Sequence, residues 1–384
     1  MPQTLALWHG LQHANATRHM TYTGQHNPTC SIPGIRSSVH HLQPAAHWAN
    51  RCGLHACSQN VCLTAGALHR HHSKYCAARM APARAVASAE AESVVDSDLE
   101  EFVNLAKEIA QAAGSITRQY FRQPLTIDNK ADKSPVTEAD RKAERAMRDL
   151  ISAKFPDHGI FGEEEGMQQP KSSDTQYLWV LDPIDGTKSF ITGKPVFGTL
   201  IALLRNGEPI IGVIDQPITK ERWVGVKDHG TTLNEQKVHT RECQDISLAY
   251  LYATTPHMFS AEDHTEQAFN NVRDAVRTPL YGCDCYAYGL LAAGCVDLVV
   301  EADLKPYDYM ALVPIVQEAG GVMTDWLGNS LMWRCAPDGY LMGSLPGEVV
   351  AAGSKGIHEH ALKLLDWERL QEQEIPAYGS GASS

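Results

Sequence analysis

Twelve residues, Trp179 to Phe190, read WVLDPIDGTKSF, and they constrain the chain more than any other stretch. Tyr177 to Leu181 is an apolar run with Trp and Val, and its ending at Asp182-Pro183 reads as a buried strand that stops there. The chain must then turn, and Asp185-Gly186-Thr187 supplies residues that tolerate tight backbone angles or bond to the local backbone. Two carboxylates, Asp182 and Asp185, thus sit three residues apart at the carboxyl end of a strand. If the turn opens a helix, the free amides of Gly186 and Thr187 favour an anion. Acids beside an anion site repel phosphate unless cations lie between them, which points to a metal site. The donors on offer are oxygens, which suit Mg2+, Mn2+ or Ca2+ rather than zinc. An isolated D-x-x-D is equally a pair of aspartates that cap a turn.

The surrounding chain reads as alternating helices and strands. Apolar residues from Leu99 to Tyr120 recur every three or four positions, which predicts a helix over Asp96 to Arg122. Ser97 and Glu100 form a capping box for its start, and Pro124 marks its end. The polar loop NKADKSPVTEAD, Asn129 to Asp140, leads into a second helix carrying Ala143, Met147, Leu150 and Ile151 on one side. Thr137 and Asp140 fit an N-cap and a first-turn acid there. Glu163-Glu164-Glu165 lies in a Gly-flanked loop, ordinarily a solvated turn.

Val196 to Leu204, Pro209 to Asp215 and Arg222 to Val226 read as successive antiparallel strands joined at Asn206-Gly207 and Thr219-Lys220. Beyond them a strand at Ala249 to Thr254, a helix at Glu262 to Val276 and a strand at Val296 to Val300 imply an α/β second half. Tyr307 to Ala319 reads as one helix stopped by Gly320-Gly321, and Asp308 at its start has a cap role available whatever else it does. A last helix is expected near Ile357 to Leu370.

The central string resembles the signature of the inositol monophosphatase family, Mg2+-dependent and lithium-sensitive phosphatases of small phosphate monoesters. The other motifs of that family recur in order: T-x-x-D ending at Asp140, G-E-E beginning at Gly162, and an Asp at Asp308, after Tyr307 where the family usually has Trp. The resemblance implies an α/β (α+β) fold, a layered α-β-α-β-α sandwich of the kind shared with fructose bisphosphatase, and a homodimer. It implies two to three Mg2+ per subunit. Glu163, Asp182 and the carbonyl of Ile184 would hold the first, and Asp182, Asp185 and Asp308 the second; Glu164 is the fallback for Glu163. Asp140 and Thr187 would orient and deprotonate the attacking water. Gly186 and Thr187 would take phosphate oxygens, and Lys130 matches a lysine in the loop that closes over the metals.

The resemblance also sets the substrate side. Gly282, Asp284 and Glu301 match substrate-contact positions, and Asp284 stands where inositol phosphatases carry a small residue. Two acids there favour an amine or imidazole over a neutral polyol; otherwise Asp284 caps the helix that follows it. DCYAYGLLAAG and DGTKSFITG most resemble the histidinol-phosphate phosphatase branch, which makes histidinol in histidine biosynthesis. The expected reaction is release of phosphate from histidinol phosphate by metal-activated water. The alternatives are an inositol or sugar phosphatase, or a catalytically silent binder of metal or phosphate.

Composition decides where the domain lies. Met1 to Ala89 holds no Asp or Glu but seven Lys/Arg and eleven of the eighteen His, while the chain as a whole carries -12. An acid-free, Ala-, Ser-, Thr- and Arg-containing start reads as a transit peptide over 1–88, with a mature N-terminus between Arg79 and Val95. A His- and Cys-rich metal-binding tail, or a leader that is not translated, would have the same look. The phosphatase domain is then 96–372, with halves of about 96–240 and 241–372, and 373–384 is a flexible tail. The acidic remainder argues against nucleic acid, and no apolar run approaches the roughly 18 residues of a membrane span. The plastid is the expected destination, with the mitochondrion second. Five of the ten cysteines fall in this leader, and the other five, Cys243, Cys283, Cys285, Cys295 and Cys335, an odd number without regular spacing, read as core thiols rather than a disulfide framework.

Overall fold

The computed structural model describes residues 84–124, 126–129, 135–171, 176–261, 264–333, 335–336, 339–340 and 347–366. Lys130, the tail 373–384 and nearly all of the expected transit segment lie outside the described residues. Helix α1 (Arg84–Tyr120) is followed by the hairpin β1 (Ile127–Asn129) and β2 (Pro135–Thr137), then by α2 (Glu138–Lys154). Strands β3 (Gly159–Gly162), β4 (Gly166–Gln168) and β5 (Tyr177–Asp185) come next, and the short helix α3 (Thr187–Ile191) closes β5. A meander of β6 (Gly198–Arg205), β7 (Glu208–Gln216), β8 (Glu221–Val226), β9 (Gly230–Leu233) and β10 (Gln236–Val238) ends the first half. The second half begins with β11 (Tyr250–Ala253), α4 (Thr265–Ala275), β12 (Thr278–Tyr281), α5 (Tyr286–Ala292) and β13 (Leu298–Glu301). It continues through α6 (Pro306–Tyr309), α7 (Leu312–Glu318), β14 (Val322–Asp325), the hairpin β15 (Cys335–Ala336) and β16 (Gly339–Tyr340), β17 (Val349–Ala352) and α8 (Lys355–Leu365).

Eight strands form one sheet in the order β10-β9-β8-β7-β6-β5-β3-β4, and five form a second in the order β12-β11-β13-β17-β14. Alternation of side chains across each strand assigns the layers. On β5, Trp179 and Leu181 pack with Ile109 of α1 and Met147 of α2, whereas Leu178 and Val180 join a core with α5 and α7. Val299 and Ala351 of the second sheet reach that same middle core. Leu298, Val300 and Val350 turn the other way, onto Phe269 of α4 and Ile357 of α8. The layers are therefore α1/α2, the large sheet, α5 to α7, the small sheet, and α4/α8: the expected α-β-α-β-α sandwich. Burial on both faces is why both sheets read as nearly continuous apolar runs.

Three expectations about elements need correction. Helix α1 begins at Arg84, before the Ser97 cap, because the Ala- and Glu-rich segment ahead of it favours helix and gives no reason to start late. Strand β5 does not stop at Asp182 but continues to Asp185. The helix expected over Tyr307 to Ala319 is two pieces, α6 and α7, separated at Met310–Ala311. Among the described residues, no helix is long and apolar enough to cross a membrane.

Candidate active site

The end of β5 owes its shape to a bulge. Asp182 pairs with Leu200 and Asp185 with Gly198, so three steps along β5 match two along β6. In a regular strand, residues three apart face opposite sides; the extra residue re-aims the strand. Pro183 fits because it asks for no ladder hydrogen bond from its nitrogen, and the freed Pro183 carbonyl accepts from Thr199 Oγ1 at 2.9 Å. Gly186 then takes φ +77, and a Cβ there would fall 2.7 Å from the Asp284 carboxyl carbon. Conformation and space both demand glycine at this turn.

Asp308 comes from the other half of the chain. Its Oδ2 accepts the Lys305 N–H at 2.7 Å at the start of α6, so the cap role is real. Its carboxylate nevertheless converges with the β5 acids: one ligand oxygen each from Asp182, Asp185 and Asp308 lie within 4.8 Å of one another. Asp182 Oδ1 accepts the Ile184 N–H at 2.9 Å, and Asp185 Oδ2 accepts the Cys285 N–H at 2.7 Å. These bonds fix the acids without neutralising them. Burial first, and then the charges of Glu163, Asp185 and Asp308, hold Asp182 well above the carboxylate range. Asp185 is raised by burial and by Asp284 and Asp308, and Asp308 is pushed up to about 7, chiefly by burial. All the donors are hard oxygens and all are crowded with like charge, a set that fits a divalent cation.

Asp140 stands at the first turn of α2 with Thr137 as N-cap; its Oδ2 accepts from the Thr137 N–H at 2.8 Å and the Thr137 hydroxyl at 2.5 Å. Its Oδ1 is buried and has no hydrogen-bond partner. Burial pushes Asp140 up to about 6, against the two Thr137 bonds. Thr187 donates from its hydroxyl to the Ile184 carbonyl at 3.2 Å.

A cleft of about 300 Å³ has Glu163, Asp185, Gly186, Thr187, Asp284, Glu301 and Asp308 in its wall, while Asp182 and Asp140 lie behind that wall. Asp284 does not cap α5: Cys285 holds the cap position with no side-chain bond, and Asp284 Oδ2 instead accepts from Ser189 Oγ at 2.5 Å. Gly282 is not in the wall; its carbonyl is taken by the Lys194 ammonium. Glu301 accepts from the Thr254 N–H at 2.9 Å, the Thr254 hydroxyl at 2.6 Å and the Tyr288 hydroxyl at 2.8 Å. Burial pushes it up to about 7. Sequence reasoning missed Ser189, Thr254 and Tyr288, which meet their acids only through tertiary structure. It also missed Glu144, whose signal is a second acid one helical turn beyond Asp140 on the buried face of α2.

A pH dependence follows with a fixed sign. Asp308 and Glu301 near 7 and Asp140 near 6 exceed the roughly 4 of unfolded carboxyls. With chelator present, the folded chain therefore holds protons that the unfolded chain has lost. That stability is complete below about pH 4 and disappears as pH rises through about 7. The melting midpoint of the chelated protein is expected to fall over this window, and added Mg2+ at pH 8 to raise it. His158 and His358, held neutral by burial, contribute the opposite sign below about pH 6.5, so a midpoint that climbs between about pH 6.5 and pH 8 would show the acids to be uncrowded.

The model of the inositol monophosphatase family matches residues 98–368. The Arabidopsis thaliana protein named "Bifunctional phosphatase IMPL2, chloroplastic" is 53% identical over 272 residues, 71% of this chain and 77% of its own. A histidinol-phosphatase from Chlorobaculum parvum is 38% identical over 229 residues, 59% of this chain and 86% of its own. Among solved structures, an inositol monophosphatase from Zymomonas mobilis is 48% identical, covers 70% of this chain and 98% of its own, and superposes with a TM-score of 0.61.

Proposed function

Since the chain belongs to the inositol monophosphatase family and is a phosphatase, we propose that it hydrolyses histidinol phosphate with Mg2+. The convergence of Asp182, Asp185 and Asp308 within 4.8 Å carries the reading. These three, with Glu163 and the Ile184 carbonyl, would hold the metal. Divalent ions held there would offset the charge of the phosphoryl group and supply an activated water.

The remaining work falls to the chain's own groups. Asp140 Oδ1, unpartnered while Thr137 occupies Oδ2, is the proposed acceptor of the water's proton. A carboxyl held near 6 is mostly ionised at neutral pH yet basic enough to take that proton. Thr187 would steady the nucleophile from its place on the Ile184 carbonyl, and the amides of Gly186 and Thr187 would receive phosphate oxygens.

Selection of the leaving group falls first on Asp284. The oxygens of Glu301 already accept three hydrogen bonds, whereas Asp284 presents a carboxylate to the cleft over Gly186. Burial holds the Asp284 carboxyl above its ordinary range, against the Ser189 hydrogen bond and the charges of Lys194 and Lys188; an imidazolium or ammonium group entering the cleft would favour its charged form. The Chlorobaculum parvum relative supports the same substrate. The acid-free first 89 residues and the chloroplastic relative support import into a plastid, where we place a homodimer.

Rates of phosphate release from histidinol phosphate, inositol 1-phosphate and a 3′-phosphonucleotide test the proposal together. Histidinol phosphate is expected to lead by about 10-fold or more in kcat/KM. Equal or faster turnover of inositol phosphate would remove it in favour of a second reading, an inositol or sugar phosphatase, which the likeness to the Zymomonas mobilis inositol monophosphatase supports.

A further inference from the structure

We propose that Glu144, a fully buried acid on α2 outside the cleft, is the positioning residue that sets Glu163 toward the metal site. The inference rests on the function proposed above and concerns only how the chain places one of its donors.

Glu163 sits in the tight turn between β3 and β4, which pair antiparallel from Gly162 with Gly166. Two residues beyond it have their amides fixed from outside the hairpin: the Glu164 N–H donates to Glu144 Oε2 at 2.7 Å and the Glu165 N–H to Glu144 Oε1 at 2.9 Å. Arg148, one helical turn on, donates from Nε to Glu144 Oε1 at 2.8 Å and from Nη2 to the Gly166 carbonyl at 2.5 Å. Helix α2 thus grips the turn at three successive residues through one ion pair. Gly162 makes the approach possible, since a Cβ there would lie 2.1 Å from Glu144 Oε1.

A carboxylate with no exposure needs such bonds to offset its burial. The geometry has a second consequence. Asp140 and Glu144 are four residues apart on one helix face, so the helix that presents the proposed proton acceptor also fixes the turn bearing Glu163. Charge from Glu163 reaches both Asp140 and Asp182, which sets the two acids around a common space. The Glu163 amide is itself tied to β5, donating to the Leu181 carbonyl at 3.2 Å; the Glu144 clasp adds the hold on the two residues that follow and so limits the swing of the turn.

The test is Mn2+ binding by electron paramagnetic resonance on the full chain without substrate, read beside amide exchange of the turn. Glu144→Gln is expected to weaken binding by about 10-fold or more and to speed exchange at Glu164 and Glu165. Arg145→Gln, which loses only an exposed pair with Glu165, should leave both unchanged. If Glu144→Gln does not fold, Arg148→Met decides, with an expected weakening of about 3-fold or more. Wild-type protein that binds Mn2+ while the folded Glu144→Gln or Arg148→Met protein binds it equally well overturns this inference alone. Wild-type protein that binds no Mn2+ overturns the metal reading beneath it.

Discussion

Asp185→Asn is expected to reduce kcat/KM for every phosphate monoester by about 10³-fold or more, or about 4 kcal/mol of barrier. Asp185 is the acid nearest the turn at Gly186, and its position combines three roles. It converges with Asp182 and Asp308 within 4.8 Å, it lines the cleft, and its Oδ2 ties β5 to the first residue of the α5 turn through the Cys285 N–H. Asparagine keeps an acceptor for that N–H, so the fold is expected to survive. It removes one of three mutually repelling charges, and the chelated variant should melt no lower than chelated wild type. Loss of activity with retained stability would separate chemistry from folding. Retention of a tenth of wild-type activity would mean that this acid is not part of the machinery.

The second large effect concerns selectivity. Asp284→Asn keeps the acceptor for Ser189 Oγ but discards the charge facing the cleft. kcat/KM for histidinol phosphate is expected to fall about 10²-fold and that for inositol phosphate by less than about 3-fold. The asymmetry is the point, because a cation that loses its carboxylate partner loses far more than a hydroxyl does. An equal fall on both substrates would reduce Asp284 to a turn residue at φ +47.

The sequence revealed what is local. Apolar Tyr177 to Leu181 reads as a buried strand, and the aspartates beside Pro and Gly mark where it turns, because composition and neighbour chemistry decide both. The family resemblance added Asp140, Glu163 and Asp308, whose individual signals are those of ordinary caps and a solvated turn. The bulge within β5 was not legible: Pro183 suggested an end, whereas pairing with β6 carries the strand through to Asp185. The break between α6 and α7 was hidden in the same way, since apolar spacing continues across Met310 and Ala311, both buried. Partners of the acids escaped for a simpler reason. Ser189 with Asp284, Thr254 and Tyr288 with Glu301, and Glu144 with the Glu163 turn join residues distant in the chain. No periodicity encodes such meetings. Lys130 and nearly all of the proposed transit segment fall outside the described residues; the first rests on resemblance, the second on composition and the chloroplastic relative.

One measurement reaches the central claim most directly: calorimetric titration of Mg2+ into the chelator-treated chain, wild type beside Asp182→Asn and Asp308→Asn. Saturable binding in the wild type, weakened about 100-fold in each variant while both remain folded, is the predicted result. Mg2+ binding that is absent from the wild type, or that survives unchanged in the two variants, would contradict it.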